Sequence, residues 1–478
     1  MSEQARRAAE LLCFLEAQHV RYAVVGSARE DLGRTDEDID LLVEPDALAT
    51  LAGPIAQFCR DTGGWLVNAI DHQANACCFV CAWLDAAGHS CSLQLDFSGG
   101  LRRRGKLLLP AHALLGKRQR APGSPATGGG CYIAAPADAV IYSLLKGLTK
   151  PVLPDADAAR LSREWREDPR GARERISELW SSPDVELLAS AADRNRWDAV
   201  RARQPSLRRS LLARRPRIPN HLALETVRVA RRVTRPTGLV VALLGPDGSG
   251  KSTALERIAP TLAPLFRRVE LHHFRPDPFG LGLPAAPGSG KPPRHAPGWS
   301  LVSLAKLAYY LFDYWVGYAW NVWPRSVRTG LVVFDRYFHD LAIDPVRLRH
   351  RGPMALARKL ERLIPGPDLF ILMHAPTSTM QARKQEVPPA ETERQRAEYL
   401  KLARRLPHGH VVDATRPVDE VTAEVLQIVL AHLAGRTARR LGISLALAAS
   451  ERATPVADAD KYAIAAAARP NVIQSERN

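Results

Sequence analysis

The stretch GPDGSGKS, Gly245 to Ser252, has the residue types that a phosphate group asks for. Its glycines let successive backbone N–H groups converge on phosphate oxygens. Lys251 is a cation able to reach β- and γ-phosphates, and the Ser252 hydroxyl is a ligand for Mg²⁺. A second cluster is acidic. In YAVVGSAREDLGRTDEDIDLLV, Gly26 and Ser27 follow an apolar strand, and Asp38 and Asp40 stand at the start of the next one. Two residues apart on a strand, these acids point the same way, and Asp96 at the end of SLQLD can join them from a neighbouring strand. Three such carboxylates can hold divalent metal ions that activate a hydroxyl. Paired acids at a strand start also suit a solvated edge, and Asp36 and Glu37 dilute the pattern. Lys146 and Lys150 on the following helix suit a solvated face first and an approach to a nucleotide second.

Other chemistry-bearing residues point to packing. Seven cysteines, Cys13 to Cys131, occupy one end of the chain, an odd number that argues against a disulfide-stapled secreted fold. Cys78 and Cys81 have CxxC spacing but lie in the apolar run CCFVCAW without a second pair, which predicts a buried strand rather than a metal or redox site. The N-terminal stretch reads as an amphipathic helix without the apolar core of a signal peptide, so a cytoplasmic protein is expected.

The elements that must position the two clusters are legible in outline. Strands are predicted at Tyr22 to Val25, Ile39 to Val43, Phe79 to Leu84 and Leu93 to Phe97, with a helix at Pro136 to Lys146. This is an α+β pattern over residues 1–200. The buried strand LVVALL precedes the glycine-rich loop, and TALERIAPTLA continues it as a helix. With LVVFDRY and DLFILM between helical stretches, residues 237–435 read as an α/β parallel sheet flanked by helices. The apolar stretch Leu301 to Trp323 is interrupted by Lys306, Asp313 and Asn321. It therefore reads as a buried helix rather than a membrane span, with Leu301, Leu304, Ala308, Leu311, Trp315, Tyr318 and Val322 on its inner face. No integral membrane segment is expected.

With 478 residues, 46% hydrophobic and 24% charged, the chain is globular in composition. Its net charge of +16 implies an anionic partner. Eleven arginines face one acid, Glu225, over 201–236, so +10 of the +16 lies in a segment interrupted by Pro205, Pro216 and Pro219. That segment reads as an arginine-rich linker with one helical piece near Leu222 to Arg232, and 436–478 as a largely disordered Ala-rich tail.

Residues across 237–435 occur in the order seen in thymidylate kinases: LLGPDGSGKST, DRY at Asp335 to Tyr337, PDLFILM, RKQE at Arg383 to Glu386, Tyr399 and VVDATRP. The resemblance implies a P-loop NTPase fold and an ATP- and Mg²⁺-dependent kinase. ATP would contact Gly245, Pro246, Asp247, Gly248, Ser249, Gly250, Lys251, Ser252 and Thr253, with Ala414, Thr415 and Arg416 beside the adenine. It also implies Asp247 near the acceptor sugar, Asp335 near Mg²⁺, Arg336 as a clamp on the transferring phosphoryl group, and homodimerisation by analogy. Lys251, Arg336, Arg383 and Lys384 supply the cations that phosphoryl transfer needs, and Arg383 to Arg396 reads as a lid. HHFRP, His272 to Pro276, and FHDLAIDPVRLRHRGP depart from that family. They leave Arg275, Arg347, Arg349 and Arg351 as cations for an acidic acceptor, a nucleotide or another phosphorylated small molecule. The N-terminal pattern resembles the minimal nucleotidyltransferase superfamily, in which Gly26 and Ser27 would touch a triphosphate and Asp38, Asp40 and Asp96 would hold metal.

Three functions are compatible with these residues: a phosphotransferase carrying a nucleotidyltransferase-like domain; a nucleotidyltransferase acting on a small molecule, RNA or protein, with a regulatory kinase-like half; and a non-enzymatic ATP-binding scaffold holding nucleic acid through the arginine-rich linker.

Overall fold

Leu239–Leu244, six apolar residues that are all buried, form the central strand of one sheet, whereas the N-terminal strands build a second, mixed sheet. The structure is a computed structural model that describes residues 2–29, 38–85, 88, 90–121, 131–214, 219–276, 301–345 and 354–444. Over the described residues two compact units result: 2–83 with 91–235 and 433–444, and 84–90 with 236–432.

The first unit's strands are β1 (Tyr22–Val25), β2 (Ile39–Val43), β3 (Trp65–Gln73), β4 (Ala76–Leu84), β5 (Ser90–Ser98), a separate hairpin of β6 (Gly100–Arg103) and β7 (Lys106–Pro110), and the short β8 (Gln119–Arg120) and β9 (Tyr132–Ile133). The sheet runs β3-β4-β5-β2-β1-β9-β8. β1 and β2 are antiparallel, while β2 and β5 are parallel with Asp40 opposite Asp96. Residues opposite in a ladder share a face, so the register itself brings the two acids together. Cys78 and Cys81 are buried, unbridged residues of β4, as packing predicted. Helices Pro136–Thr149, Asp155–Glu167, Ser182–Arg194 and Asp198–Arg214 build one core on this unit around Trp165, Leu145 and Leu188.

The linker expectation differs from what the structure shows. Residues 201–214 continue helix Asp198–Arg214, with Leu207 and Leu211 buried in that core, each worth roughly 2 kcal/mol of burial. Gln204 fixes the helix by donating to the Leu148 and Lys150 carbonyls at 3.3 and 2.9 Å and accepting from the Leu153 N–H at 3.0 Å. The arginine count hid two core leucines, because composition averages over the faces of a helix. Residues 221–234 form a second helix, where a helical piece near Leu222 to Arg232 was expected.

The second unit's sheet comprises β10 (Leu239–Leu244), β11 (Arg268–His273), β12 (Gly330–Asp335), β13 (Leu369–His374) and β14 (Gly409–Asp413), ordered β11-β12-β10-β13-β14 and parallel throughout. This meets the α/β expectation for the C-terminal half. Helix Leu301–Gly317 is buried on a different face from the predicted one. Leu307, Tyr310 and Tyr314 are buried, whereas Leu301, Ala308 and Trp315 are exposed. Apolar residues surround this helix, so periodicity could not choose. The buried face is the one that satisfies its polar atoms: the Tyr314 hydroxyl donates to the Phe274 carbonyl, and Asp313 pairs with Arg275 at 3.3 Å. No helix among the described residues is long and apolar enough to cross a membrane.

The start of the supposed tail is also ordered. Helix Val418–Leu441 carries buried Thr437 and Ala438, and its Arg440 donates to Asn68 Oδ1 and the Ala69 carbonyl at 3.0 and 2.6 Å. The rest of the tail, 445–478, lies outside the described residues, as do the Pro/Gly-rich 277–300 and Arg347, Arg349 and Arg351.

Candidate functional site

In a parallel sheet, the crevice beyond the carboxyl ends of the strands is where loops can converge on a ligand. The glycine-rich loop leaves β10 there, and helix Lys251–Leu262 begins at Lys251, so the helix N-terminus faces the same space. Gly248 has φ +77°, and a Cβ on it would lie 2.6 Å from the Met380 carbonyl, so the turn requires glycine. A cavity of about 380 Å³ is lined by Asp247, Gly248, Gly250, Lys251, Ser252, Thr253, His273, Asp335, Arg336, Arg383 and Lys384. Gly245, Pro246 and Ser249 shape the loop from behind: Lys251 Nζ donates to the Gly245 and Pro246 carbonyls, both at 2.8 Å, and Ser249 is fully buried.

Burial decides the electrostatics. Lys251 is buried, which together with the nearby Arg336 charge pulls its pKa from 10.5 down to about 7. Arg336, at the end of β12, is buried in the left-handed backbone region at φ +73°. Its guanidinium donates to Asp340 at 2.8 Å, Tyr399 Oη at 3.3 Å and Asp247 at 2.5 Å. A strained, buried arginine held by three partners is a preorganised cation. Asp335 Oδ2 faces His273 Nδ1 at 3.3 Å, and Asp335 Oδ1 is buried without a hydrogen-bond partner. Burial alone would raise the Asp335 pKa, but the His273 hydrogen bond and the charges of Lys251 and Arg336 outweigh it and lower the pKa. An ionised carboxylate with an unpartnered oxygen, sharing a cavity with the Ser252 hydroxyl, fits a hard divalent cation such as Mg²⁺.

A smaller adjoining cavity is lined by Gly250, Thr253, Met373, Arg383, Ala414, Arg416, Val418 and Val421, among others. Ala414 and Arg416 therefore reach the site, whereas Thr415 is turned onto Asp413. Arg383 donates to the Ala414 carbonyl at 3.0 Å and lines both cavities. Arg275 is a correction. It does not line the phosphate-type cavity; its buried guanidinium meets Asp313 and Tyr309 at 3.3 and 3.2 Å. The stretch read as a lid is the end of helix Thr377–Arg383, a short connection and the start of helix Pro389–Arg405.

The acidic residues also converge. In the first unit, Ser27, Asp38, Asp40, Asp96, Lys146, Lys150, Asp157 and Arg160 line a cavity of about 340 Å³. Gly26 has φ +70°, and a Cβ there would lie 2.8 Å from Asp40 Oδ2, so this turn is shaped against the acid. Asp96 Oδ1 is buried without a hydrogen-bond partner, and burial, with Asp40 and Asp38 nearby, raises the Asp96 pKa to about 7. Lys146 Nζ donates to Asp40 Oδ2 at 2.5 Å, so the helix face read as solvated belongs to the pocket. Among the described residues no three His, Cys, Asp or Glu side chains are arranged as a metal site. Lys146 is the cation that meets Asp40 in this conformation. Asp96 Oδ1, buried without a hydrogen-bond partner, is the atom of this cluster that a metal could take.

Sequence reasoning missed Asp340 as a site residue, weighed His273 equally as structural or catalytic, and gave Tyr399 no role. Asp340 stands one helical turn after Arg336, at i+4, which was a usable signal. His273 and Arg160 carried none; only strand register and helix packing bring them to the cavities.

No family model matches the chain. It is similar to curated thymidylate kinases over about 42% of its length. The thymidylate kinase of Xanthomonas euvesicatoria pv. vesicatoria (strain 85-10) is 28% identical over 211 residues, covering 42% of this chain and 88% of the relative. That of Ruegeria pomeroyi (strain ATCC 700808 / DSM 15171 / DSS-3) is 29% identical over 223 residues, covering 41% and 97%. The crystal structure of thymidylate kinase from Ehrlichia chaffeensis matches 40% of this chain and 99% of its own at 18% identity, with a TM-score of 0.29.

Proposed function

We propose that the second unit is an ATP- and Mg²⁺-dependent phosphotransferase of the nucleoside monophosphate kinase type. The observation that carries this reading is the placing of buried Lys251 and Arg336 in one cavity with Ser252 and the half-orphaned Asp335. The loop amides and Lys251 bind the β- and γ-phosphates. Arg336, held by Asp340, Tyr399 and Asp247, meets charge that develops on the transferring group. Ser252 and Asp335 would hold Mg²⁺, which supplies charge neutralisation between the phosphates. Ala414 and Arg416 border the space for the base. The acceptor is a nucleotide or another phosphorylated small molecule; similarity to thymidylate kinases supports a nucleotide, while HHFRP and Arg275's engagement with Asp313 leave thymine unassigned. Incubation with labelled ATP and a panel of nucleoside monophosphates and sugar phosphates tests the reading. Acceptor-dependent ADP formation is expected, and its persistence in Lys251→Ala would refute it.

A second activity is favoured by the first unit's cavity: nucleotidyl transfer, with Asp38, Asp40 and Asp96 holding metal and Gly26 and Ser27 against the triphosphate. The opposition of Asp40 and Asp96 across parallel strands carries it. Pyrophosphate release from an NTP, lost in Asp38→Ala/Asp40→Ala and kept in Lys251→Ala, is the expected result; no pyrophosphate with any NTP would remove it.

A further inference from the structure

Helix Leu301–Gly317 and the π-helical turn Tyr318–Val322 that continues it present their most regular apolar stripe to water. Leu301, Ala305, Ala308, Phe312, Trp315 and Ala319 recur at spacings of 4, 3, 4, 3 and 4 residues, a single line along one side of the helix, and every one of them is exposed. Leu301 is 85% exposed, Phe312 55% and Trp315 54%, with Trp320 at 75% beside Ala319. No charge lies on this line. Asp313 is turned inward onto Arg275, and Lys306 Nζ lies 5.5 Å from the centre of the buried Tyr310 ring. Burying a Leu, Phe or Trp side chain is favourable, so a continuous uncharged stripe left in water marks an interaction surface.

The order of sizes along the stripe selects its occupant. Its spacing reads the same in both directions, so a second copy of the helix, laid antiparallel about the point midway between Ala308 and Phe312, meets it in register. Ala308 then faces the partner's Phe312, Ala305 faces the partner's Trp315, and Leu301 faces the partner's Ala319. In each facing pair a larger side chain opposes an alanine, the alternation that close packing of two helices needs, and a two-fold axis repeats every pair. The area is sufficient. Leu301, Phe312, Trp315 and Trp320 leave about 500 Å² of apolar surface in water, so two copies would remove about 1,000 Å² before the alanines are counted, the size that a specific interface reaches. We infer that the second unit pairs with a second copy of this chain through an antiparallel, two-fold contact of this helix. A lipid surface is met by helices that carry cations beside the apolar face, whereas Leu304, Leu311 and Val316 flank this stripe and the opposite side of the helix is core. Nucleic acid needs cations, which the stripe lacks.

Sedimentation of the full-length protein at micromolar concentration tests the inference. A mass twice that of one chain is expected, with the dissociation constant raised about a hundredfold or more in Phe312→Glu/Trp315→Glu. Ala308→Phe alone sets one phenylalanine against another and should weaken the pair by a similar factor. Adding Phe312→Ala exchanges the two sizes and should restore it, a rescue that a merely structural position would not show. These side chains are exposed in the single chain, and an unchanged far-UV circular dichroism spectrum verifies that each variant is folded. A monomeric wild type would overturn the inference, as would a dimer that the glutamates leave intact. Failure of Phe312→Ala to rescue Ala308→Phe would overturn the antiparallel register, and a monomer that floats with phosphatidylcholine vesicles through the stripe would give that face to lipid.

Discussion

In the second unit's cavity the buried charges are cations, Lys251 and Arg336, and the acids Asp247 and Asp340 hold one of them in place. In the first unit's cavity the charge left with a buried, unpartnered oxygen is an acid, Asp96, and a lysine, Lys146, rests on its neighbour Asp40. On the proposed reading, one pocket would meet phosphate directly, through amides and fixed cations, and the other through metal held by carboxylates. The contrast extends to the backbone. The cationic pocket has a loop of converging N–H groups at a helix N-terminus, whereas the acidic pocket has a single turn at Gly26 and Ser27. The two cavities thus differ in the sign of the charge that burial perturbs most.

That difference can be broken by mutation. The largest effect is expected for Lys251→Ala, which should lower acceptor-dependent ADP formation by about 10²- to 10³-fold and leave pyrophosphate release within about twofold. If both activities fell together, the two pockets would be one functional site. Asp38→Ala/Asp40→Ala should do the converse, lowering pyrophosphate release about 10²-fold while ADP formation holds. A smaller loss, about tenfold in kcat with little change in the KM for ATP, is expected for Tyr399→Phe and for Asp340→Asn, since each loosens Arg336 without touching the loop. A rise in KM without loss of kcat would make their role ground-state binding.

The pockets' surroundings also set opposite responses to pH. His339 is buried against Tyr337 and Phe370, and burial lowers its pKa from 6.5 to about 4. A depressed native pKa contributes stability above 6.5 that is lost as pH falls through 4, about 3 kcal/mol in all. Asp96 is raised from 3.8 to about 7, so its stabilising contribution is complete below 3.8 and is lost as pH rises through 7. Acidification from pH 7 to 4.5 should therefore speed hydrogen exchange in the β10–β14 sheet relative to His339→Phe, and slow it around β5 relative to Asp96→Asn. Equal changes in wild type and variants would assign the pH response to other groups. The smallest effect concerns Gly26→Ala. It should cost about 1–2 kcal/mol in the first unit's urea stability, since the left-handed turn and the approach to Asp40 both resist a Cβ.

Much of this was readable beforehand where chemistry and local structure coincide. The glycine-rich loop between an apolar strand and a helix, and the acids at a strand start, are local patterns whose geometry is fixed within a few residues. Helix Leu301–Gly317 and the arginine-rich segment were misread for a common reason. Periodicity and composition state how many apolar residues a segment has, but not which ones find partners for their polar atoms, as Tyr314 and Gln204 do. Arg275 was misplaced because its partner Asp313 is 38 residues away, and Asp340 was overlooked although its spacing from Arg336 was visible.

The sequence by itself determined the strand–loop–helix around Lys251, the pairing of Asp38 with Asp40 on one strand and the alternation that makes the second sheet parallel, since each follows from short-range periodicity and backbone sterics. Tertiary structure alone decided that Asp96 stands opposite Asp40, that Lys146 and His273 belong to pockets, and which face of each helix is buried. Those outcomes depend on strand register and on satisfying polar atoms across long separations in the chain, which local propensity does not encode.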